Sequence, residues 1–202
     1  MRPIVALLVL SAAPLVAAES GAMTDAERTY LVEQLEQTKK DVLASIGGLS
    51  TAQWRFKSAP NVWSVAECAE HIILSEDYLG DFAQQIMKTP AVERPAKSNG
   101  EADRKLAAAV VDRSHKATAP EPITPSGKFA TPADAAREFA QRRDKNIAYV
   151  KSTRDELRAH TKGTPLGDID AYQMLLLMAG HSARHTAQIR EVEANSAYPK
   201  NQ

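Results

Sequence analysis

The sequence is poor in cysteine and carries no excess of charge. Its 202 residues include one cysteine, Cys68, which excludes an internal disulfide even in an oxidising compartment. The fold must therefore be held by core packing, alone or together with a metal. Lysine and arginine total 25, as do aspartate and glutamate, so the formal net charge is zero. Nucleic-acid binding needs a basic excess or stripe, so we expect no nucleic-acid partner.

Several sequence patterns are also missing. No segment alternates polar and apolar residues convincingly, as a half-buried strand does, and no internal repeat is evident. The chain has no nucleophile elbow, no glycine-rich phosphate loop and no H-E-x-x-H zinc-protease motif. Beyond its first residues, no apolar run is long enough to span a membrane. The lack of strand patterns favours an all-α domain.

Residues 1–18 have the three parts of a secretory signal peptide. Arg2 is a basic start, residues 4–10 are apolar, and small residues end the segment at Ala18. Residues 4–10 are too few to span a membrane, and Pro14 interrupts the segment before Ala18, which disfavours the alternative of an anchoring helix. No cysteine lies near the expected cut, which argues against a lipid anchor. We therefore expect an exported protein, periplasmic or secreted, whose residues 19–202 form one domain with no stable membrane span after processing.

Four segments carry the three- and four-residue apolar spacing of amphipathic helices. Thr24 with Glu27 and Ser64 with Glu67 form capping boxes before the first two, and Thr131 caps the third. The four predicted helices begin at Thr24, Ser64, Thr131 and about Asp168, and end at Gly47, before Thr89, at Gly163 and at about Asn195. The first half of the last helix is apolar almost all round, so it should be the most buried.

A long connection separates the second helix from the third. Residues 90–130 are rich in Pro, Ala, Lys and Ser, and only residues 101–111 have a helical pattern. The rest is expected to have low intrinsic order or to be functional, for example as a substrate-binding wall. Four long helices with one long crossover predict an all-α four-helix bundle. Residues 197–202 are expected to be frayed.

The pair His181 and His185 is the sharpest local feature. Two histidines four residues apart lie one turn above each other on one helical face, where both can bind one metal ion. Such pairs also occur as solvated surface residues. His71 lies among apolar residues of the second helix, where it is either a hydrogen-bonded core residue or a ligand. Three imidazoles from two facing helices would leave one position open, as in catalytic rather than structural zinc sites.

The residues around these histidines resemble a known family. Residues 63–72, W-S-V-A-E-C-A-E-H-I, are similar to the W-S-x-x-E-x-x-x-H-I segment of the DinB-like superfamily, and residues 181–189 resemble its closing H-x-x-R-H-x-x-Q-I segment. The resemblance covers nearly all of the expected mature chain. It implies a four-helix bundle that places His71, His181 and His185 around one divalent metal ion, zinc or nickel above all. It also implies that the protein can form a homodimer.

Two residues near His71 have more than one interpretation. Glu67 is the expected capping partner of Ser64, and it also lies one turn from His71, where its carboxylate could orient the ring. Cys68 could approach the metal as a soft ligand. We favour the alternative that Cys68 is a small buried packing residue.

Alternatives also stay open for the polar residues around the last helix. Arg184 is either a ligand for an anionic group of the substrate or a partner in a surface salt bridge. Gln188 either lines the site or faces water. His115 and His160 lie in or near polar, linker-like sequence and are expected to be solvated.

The resemblance implies a divalent-metal-dependent enzyme that acts on a small-molecule substrate, which the sequence does not identify. Relatives include thiol transferases and a maleylpyruvate isomerase type, and hydrolase chemistry follows from the same arrangement because a metal can activate water or a thiol. The thiols that those transferases use are mainly cytoplasmic, so the expected export counts against transfer. The alternative is a non-catalytic periplasmic bundle that binds a metal or small ligand, and a fourth protein ligand such as Cys68 would favour it. A third hypothesis is that the three histidines are structural and bind nothing.

Overall fold

The computed structural model describes residues 21–94, 100–114 and 118–200. The predicted signal peptide, residues 1–18, and His115 lie outside the described residues. The four long helices are α1 (Asp25–Ile46), α3 (Val65–Ile86), α5 (Pro132–Ser152) and α6 (Ala171–Glu193). The shorter elements are α2 (Thr51–Arg55), α4 (Gly100–Val111), a 3-10 turn at Glu121–Ile123, and two antiparallel strands, β1 (Thr161–Thr164) and β2 (Gly167–Asp170).

Side-chain caps explain where the long helices begin. Thr24 and Glu27 accept hydrogen bonds from each other's backbone N–H groups at the start of α1, and Ser64 and Glu67 do the same for α3. The hydroxyl of Thr131 caps α5. These three predicted starts are confirmed, because each depends on side chains only a few residues apart.

The long helices form a four-helix bundle, as predicted. α1 packs against α5 and α6, and α3 packs against the same two helices, so α1 and α3 occupy opposite corners. The crossover between α3 and α5 contains α4, which confirms the helix predicted at residues 101–111 and packs against α6. No helix in the described part of the chain is long and apolar enough to cross a membrane.

A polar layer divides the core into two apolar clusters. One cluster lies around the first half of α6 and includes Leu35 and Tyr172. The other lies around the start of α3 and includes Trp54 and Phe139. Each long helix places one buried polar residue between the two clusters: Thr38, Glu76, Arg143 and Ser182. The histidines of interest lie beside this layer, because His181 directly precedes Ser182.

The chain between α5 and α6 differs from the prediction. The third helix ends at Ser152, well before the predicted end at Gly163, because Thr153 turns extended and its hydroxyl accepts a hydrogen bond from Asp155 N–H. The short strands β1 and β2 were not predicted; they form a hairpin whose turn is followed by Gly167 at φ +97°. The fourth helix starts at Ala171, a few residues later than predicted.

Two other segments correct the sequence-based picture. The one-turn helix α2 was not predicted. The expected fraying of the C-terminal tail is wrong for the residues that the structure describes there. Gln53 donates to the Pro199 carbonyl at 3.1 Å, and the Tyr198 ring packs edge-on against Phe56 at 5.4 Å between ring centroids. The tail therefore docks on α2.

Candidate metal site

The bundle brings His71, His181 and His185 together. His71 lies two turns into α3, and the other two lie one turn apart on the facing side of α6. One ring nitrogen from each histidine lies within 4.8 Å of the others. His71 is 3% and His185 8% exposed, whereas His181 is half-buried and forms the accessible side of the cluster.

Hydrogen bonds fix the tautomer of each buried ring, that is, which nitrogen carries the proton and which keeps a lone pair. His71 Nδ1 lies 2.7 Å from the Ile123 carbonyl, which can only accept, so Nδ1 carries the proton and Nε2 keeps a lone pair. His185 Nδ1 lies 2.8 Å from Gln188 Oε1, and Arg113 donates to the same oxygen. Both contacts require an acceptor at Gln188, so His185 also has its lone pair on Nε2.

The spacing of the nitrogens suits one divalent ion. His71 Nε2 and His181 Nε2 lie 3.0 Å apart. Two imidazole nitrogens on a tetrahedral zinc ion lie about 3.3 Å apart, given Zn–N bonds of 2.0–2.1 Å. Two lone pairs cannot face each other at this distance without an intervening proton or cation. The donor set therefore fits a borderline metal such as zinc or nickel.

The surroundings keep the three rings neutral, which is the state that binds metals. Burial lowers the pKa of His71, and its bond to Ile123 offsets only part of this effect. Burial, followed by the charges of the neighbouring histidines, holds the pKa of His181 well below its ordinary value. Burial and the proximity of His71 lower the pKa of His185 to about 3. At neutral pH, therefore, none of the three rings has to release a proton before the site binds a cation.

The crossover covers one side of the cluster and is anchored by Glu70, a residue that sequence reasoning missed. One Glu70 oxygen accepts from the N–H and hydroxyl of Ser126, and the other accepts from the N–H groups of Gly127 and Lys128. Glu70 is 2% exposed. Burial raises the pKa of Glu70, but the hydrogen bonds from Ser126, Lys128 and Gly127 lower it by more than burial raises it. The carboxylate therefore stays ionised.

Trp63 forms a second wall of the site. Its ring centroid lies 4.9 Å from that of His71 and 6.0 Å from that of His185. The sequence pointed to Trp63 only as the first residue of the motif at residues 63–72. Trp63 reaches the site because it lies next to the cap of α3, whose first two turns carry His71.

Glu67 takes its expected capping role, and Cys68 takes the packing role that the sequence analysis favoured. Glu67 accepts from Ser64 N–H at 2.7 Å and from Lys57 at 2.9 Å, while the His71 ring is oriented by a backbone carbonyl of the crossover. Cys68 is fully buried in the second apolar cluster, and burial raises the pKa of its thiol to about 12. Within the described residues, the group that could hold a metal comprises the three histidines and does not include Cys68.

The remaining candidates divide between the site and the scaffold. Gln188 contacts the site directly through His185. Arg184 donates to the carbonyls of Val110 and Asp112 at the end of α4.

The expectation that His160 is solvated was wrong, since it is half-buried and its Nδ1 lies 2.7 Å from the Thr89 carbonyl.

Comparisons with known proteins agree with this architecture. The chain is 24% identical over 147 residues to the uncharacterized protein YuaE of Bacillus subtilis (strain 168), a match that covers 72% of this chain and 86% of YuaE. Its fold is similar to that of YfiT from Bacillus subtilis, which has a four-helix bundle topology. The TM-score is 0.57 and the identity 14%, with 85% of this chain and 89% of YfiT covered. The sequence profile of the DinB superfamily matches residues 34–189, and the chain therefore belongs to the DinB superfamily.

Proposed function

We propose that this protein is a divalent-metal-dependent hydrolase that acts on a small molecule. The observation that carries the proposal is the convergence of His71, His181 and His185, with the Nδ1 atoms of two rings already bonded to acceptors. Three protein nitrogens leave an open coordination position, which is typical of catalytic sites. A zinc or nickel ion held there would supply Lewis-acid activation of a water molecule or a thiol.

The residues around the histidines have separate tasks in this proposal. The Ile123 carbonyl and Gln188 hold the rings of His71 and His185 in the orientation that presents Nε2. Trp63 and the crossover segment exclude water from the sides that they cover. His181, which is half-buried, faces the side from which a substrate can approach.

Hydrolysis is favoured over thiol transfer and over binding without catalysis. YfiT, which shares the fold, is described as a probable metal-dependent hydrolase. The low-molecular-weight thiols of the transferases in this family are mainly cytoplasmic, which counts against transfer in an exported protein. The burial of Cys68 away from the histidines leaves the fourth position free of the ligand that would favour a structural or storage role.

Export is part of the proposal. Residues 1–18 have a basic start, an apolar stretch and a small-residue end, which together favour cleavage after Ala18 and release of residues 19–202. Expression of the full chain in a bacterial host, followed by fractionation and N-terminal sequencing, tests this. We expect a periplasmic or secreted product that begins at Glu19. An uncleaved product that begins at Met1 would contradict export by this route.

Metal content and activity test the central claim. Untagged residues 19–202 are expected to contain about one equivalent of zinc or nickel by elemental mass spectrometry. The His185→Ala variant should lose this metal but keep its helical circular dichroism, whereas His160→Ala, which changes a histidine away from the cluster, should keep it. Absence of metal in the wild type, even after reconstitution, would contradict the proposal. Bound metal without hydrolysis of ester, lactone, amide or phosphoester substrates would favour the binding alternative.

A further inference from the structure

Glu70 and His71 are consecutive residues of α3 that hold the same crossover segment. The His71 ring donates to the carbonyl of Ile123, and the Glu70 carboxylate binds the chain at residues 126–128. These contacts join residues more than fifty positions apart. The segment that orients His71 is therefore attached beside that histidine, through the carboxylate of Glu70.

The attachment at Glu70 is strong and specific in its geometry. Both oxygens are used, with donor–acceptor distances of 2.8 Å and 3.0 Å to Ser126, 2.8 Å to Gly127 and 2.9 Å to Lys128. Hydrogen bonds to an ionised carboxylate are stronger than bonds between neutral groups. Three successive backbone N–H groups converge because Gly127 adopts φ +85°, which places the loop around a single anion.

The rest of the segment limits how the carbonyl can move. The Ile123 side chain is buried, and the Phe129 carbonyl accepts from the Trp54 indole at 3.2 Å. Between these two points, Glu70 supplies the polar contacts that fix residues 126–128. Loss of the carboxylate would allow this part of the chain to shift, and with it the carbonyl that His71 needs.

We propose that Glu70 is a positioning residue of the metal site, which keeps the Ile123 carbonyl on His71 and thereby sets the affinity of the site for a divalent cation. This inference rests on the proposed metal-dependent function. Without the carbonyl, a neutral His71 can carry its proton on Nε2, which removes the lone pair that a metal requires. Loss of an outer partner of a histidine ligand typically lowers metal affinity about 10- to 100-fold.

The main test compares Glu70→Gln with Glu67→Gln. Each Glu70 oxygen accepts at least one backbone N–H of the loop. Whichever oxygen the glutamine NH2 group replaces, a donor then faces a backbone N–H. Glu67 lies on the same helix and also accepts a backbone N–H, but its partners are Ser64 and Lys57. In zinc titrations against a chelator, we expect the dissociation constant to rise about 10- to 100-fold in Glu70→Gln. It should change less than about twofold in Glu67→Gln, which lacks a link to His71.

A second measurement does not depend on metal binding. Long-range 1H–15N spectra of the metal-free protein should show the Nδ1–H tautomer of His71 in the wild type and a mixture of tautomers in Glu70→Gln. His185, whose Nδ1 is held by Gln188, should be unchanged. A residue with a merely structural role would lower stability without moving the His71 signals.

The outcomes separate this inference from the function on which it rests. If the wild type binds no zinc, the proposed function fails, and the tautomer of His71 still decides whether Glu70 positions the ring. If the wild type and Glu70→Gln bind zinc equally and show the same tautomer, the inference is overturned while the metal site stands. If Glu70→Gln does not fold, Gly127→Ala decides, because it strains the same loop at φ +85° where an added Cβ meets no neighbour. It should weaken zinc binding in the same direction, and unchanged affinity would overturn the inference.

Discussion

The guanidinium of Arg143 lies side-on against the carboxylate of Glu76 in the centre of the bundle. Arg143 Nε lies 2.8 Å from Glu76 Oε2 and Nη2 lies 2.5 Å from Oε1, and both side chains are essentially removed from solvent. Arg143 also donates to the Leu35 carbonyl and to the hydroxyls of Thr38 and Ser182. One guanidinium on α5 thus contacts the other three long helices. Because Ser182 follows His181, this layer also helps to fix the position of α6 along its axis at the candidate metal site.

Removal of one partner of this pair should be costly. Glu76→Gln leaves Arg143 buried without its counter-charge, and we expect the free energy of unfolding to fall by about 3–5 kcal/mol. The double variant Glu76→Leu with Arg143→Met replaces both charges by apolar groups and should recover most of this loss. Urea denaturation followed by circular dichroism measures both. A loss below about 1 kcal/mol in Glu76→Gln would show that the pair contributes little.

Zinc should stabilise the folded protein through the three histidines. A ligand at a free concentration 100 times its dissociation constant adds about 2.7 kcal/mol, which raises the Tm of a domain of this size by about 5–10 °C. We expect this rise when zinc is added to chelator-treated wild type. His181→Ala should have a similar Tm without metal but no rise with it, and His160→Ala should respond like the wild type. An equal rise in His181→Ala would place the zinc elsewhere.

Much of the bundle could be predicted because its signals are local. Thr24 and Glu27, or Ser64 and Glu67, cap a helix through contacts within one turn, and the apolar spacing of α1 matches its buried residues Leu31, Leu35, Thr38, Val42 and Ile46. The hairpin at β1 and β2 escaped prediction because T-K-G-T and G-D-I-D are short strands without regular alternation of buried and exposed residues. Their pairing depends on a turn and on docking beside α6.

The candidate site could be predicted in part for the same reason. His181 and His185 are one turn apart, so their spacing alone places them on one face. That His71 joins them depends on the packing of α3 against α6, for which the sequence offered a family resemblance rather than a local pattern. The partners of Glu70 lie 56 to 58 residues away in a proline-rich crossover, and the partner of His71 is a backbone carbonyl. Backbone groups have no sequence signature, so these contacts could be found only in the structure.

Cys68 should be inert in the folded protein. Its thiol is fully buried, and burial raises its pKa to about 12. At pH 8 the thiolate fraction is then lower than that of a free cysteine by about a thousandfold. We expect a disulfide reagent such as Ellman's reagent to label native protein at least that much more slowly than protein in denaturant, where one thiol should react. Rapid labelling that zinc suppresses would instead place Cys68 next to the metal.

Glu27 lies at the end of the bundle opposite the histidines, and it should make the stability of the protein depend on pH. Its carboxylate accepts from Thr24 N–H at 2.8 Å and from Arg158 at 2.7 Å, and it also pairs with Arg94. Burial raises its pKa, but the Thr24 N–H and the arginine charges outweigh burial and lower it overall. A carboxylate with a lowered pKa in the folded state stabilises that state above its unfolded pKa of about 4.3, and this contribution is lost as the pH falls through the folded value.

The corresponding variant is Glu27→Gln, which keeps the shape of the side chain and removes its charge. We expect it to lower the free energy of unfolding by about 2 kcal/mol at pH 7, as is typical for the loss of charged hydrogen bonds. The difference from wild type should shrink as the pH falls from 5 to 3, because the wild-type carboxylate then takes up a proton and loses the same interactions. Glu33→Gln, on an exposed position of the same helix, is the control and should match wild type at each pH. Urea denaturation at each pH measures these differences. A gap that persists undiminished at pH 3 would mean that Glu27 stabilises the bundle through its packing and not through its charge.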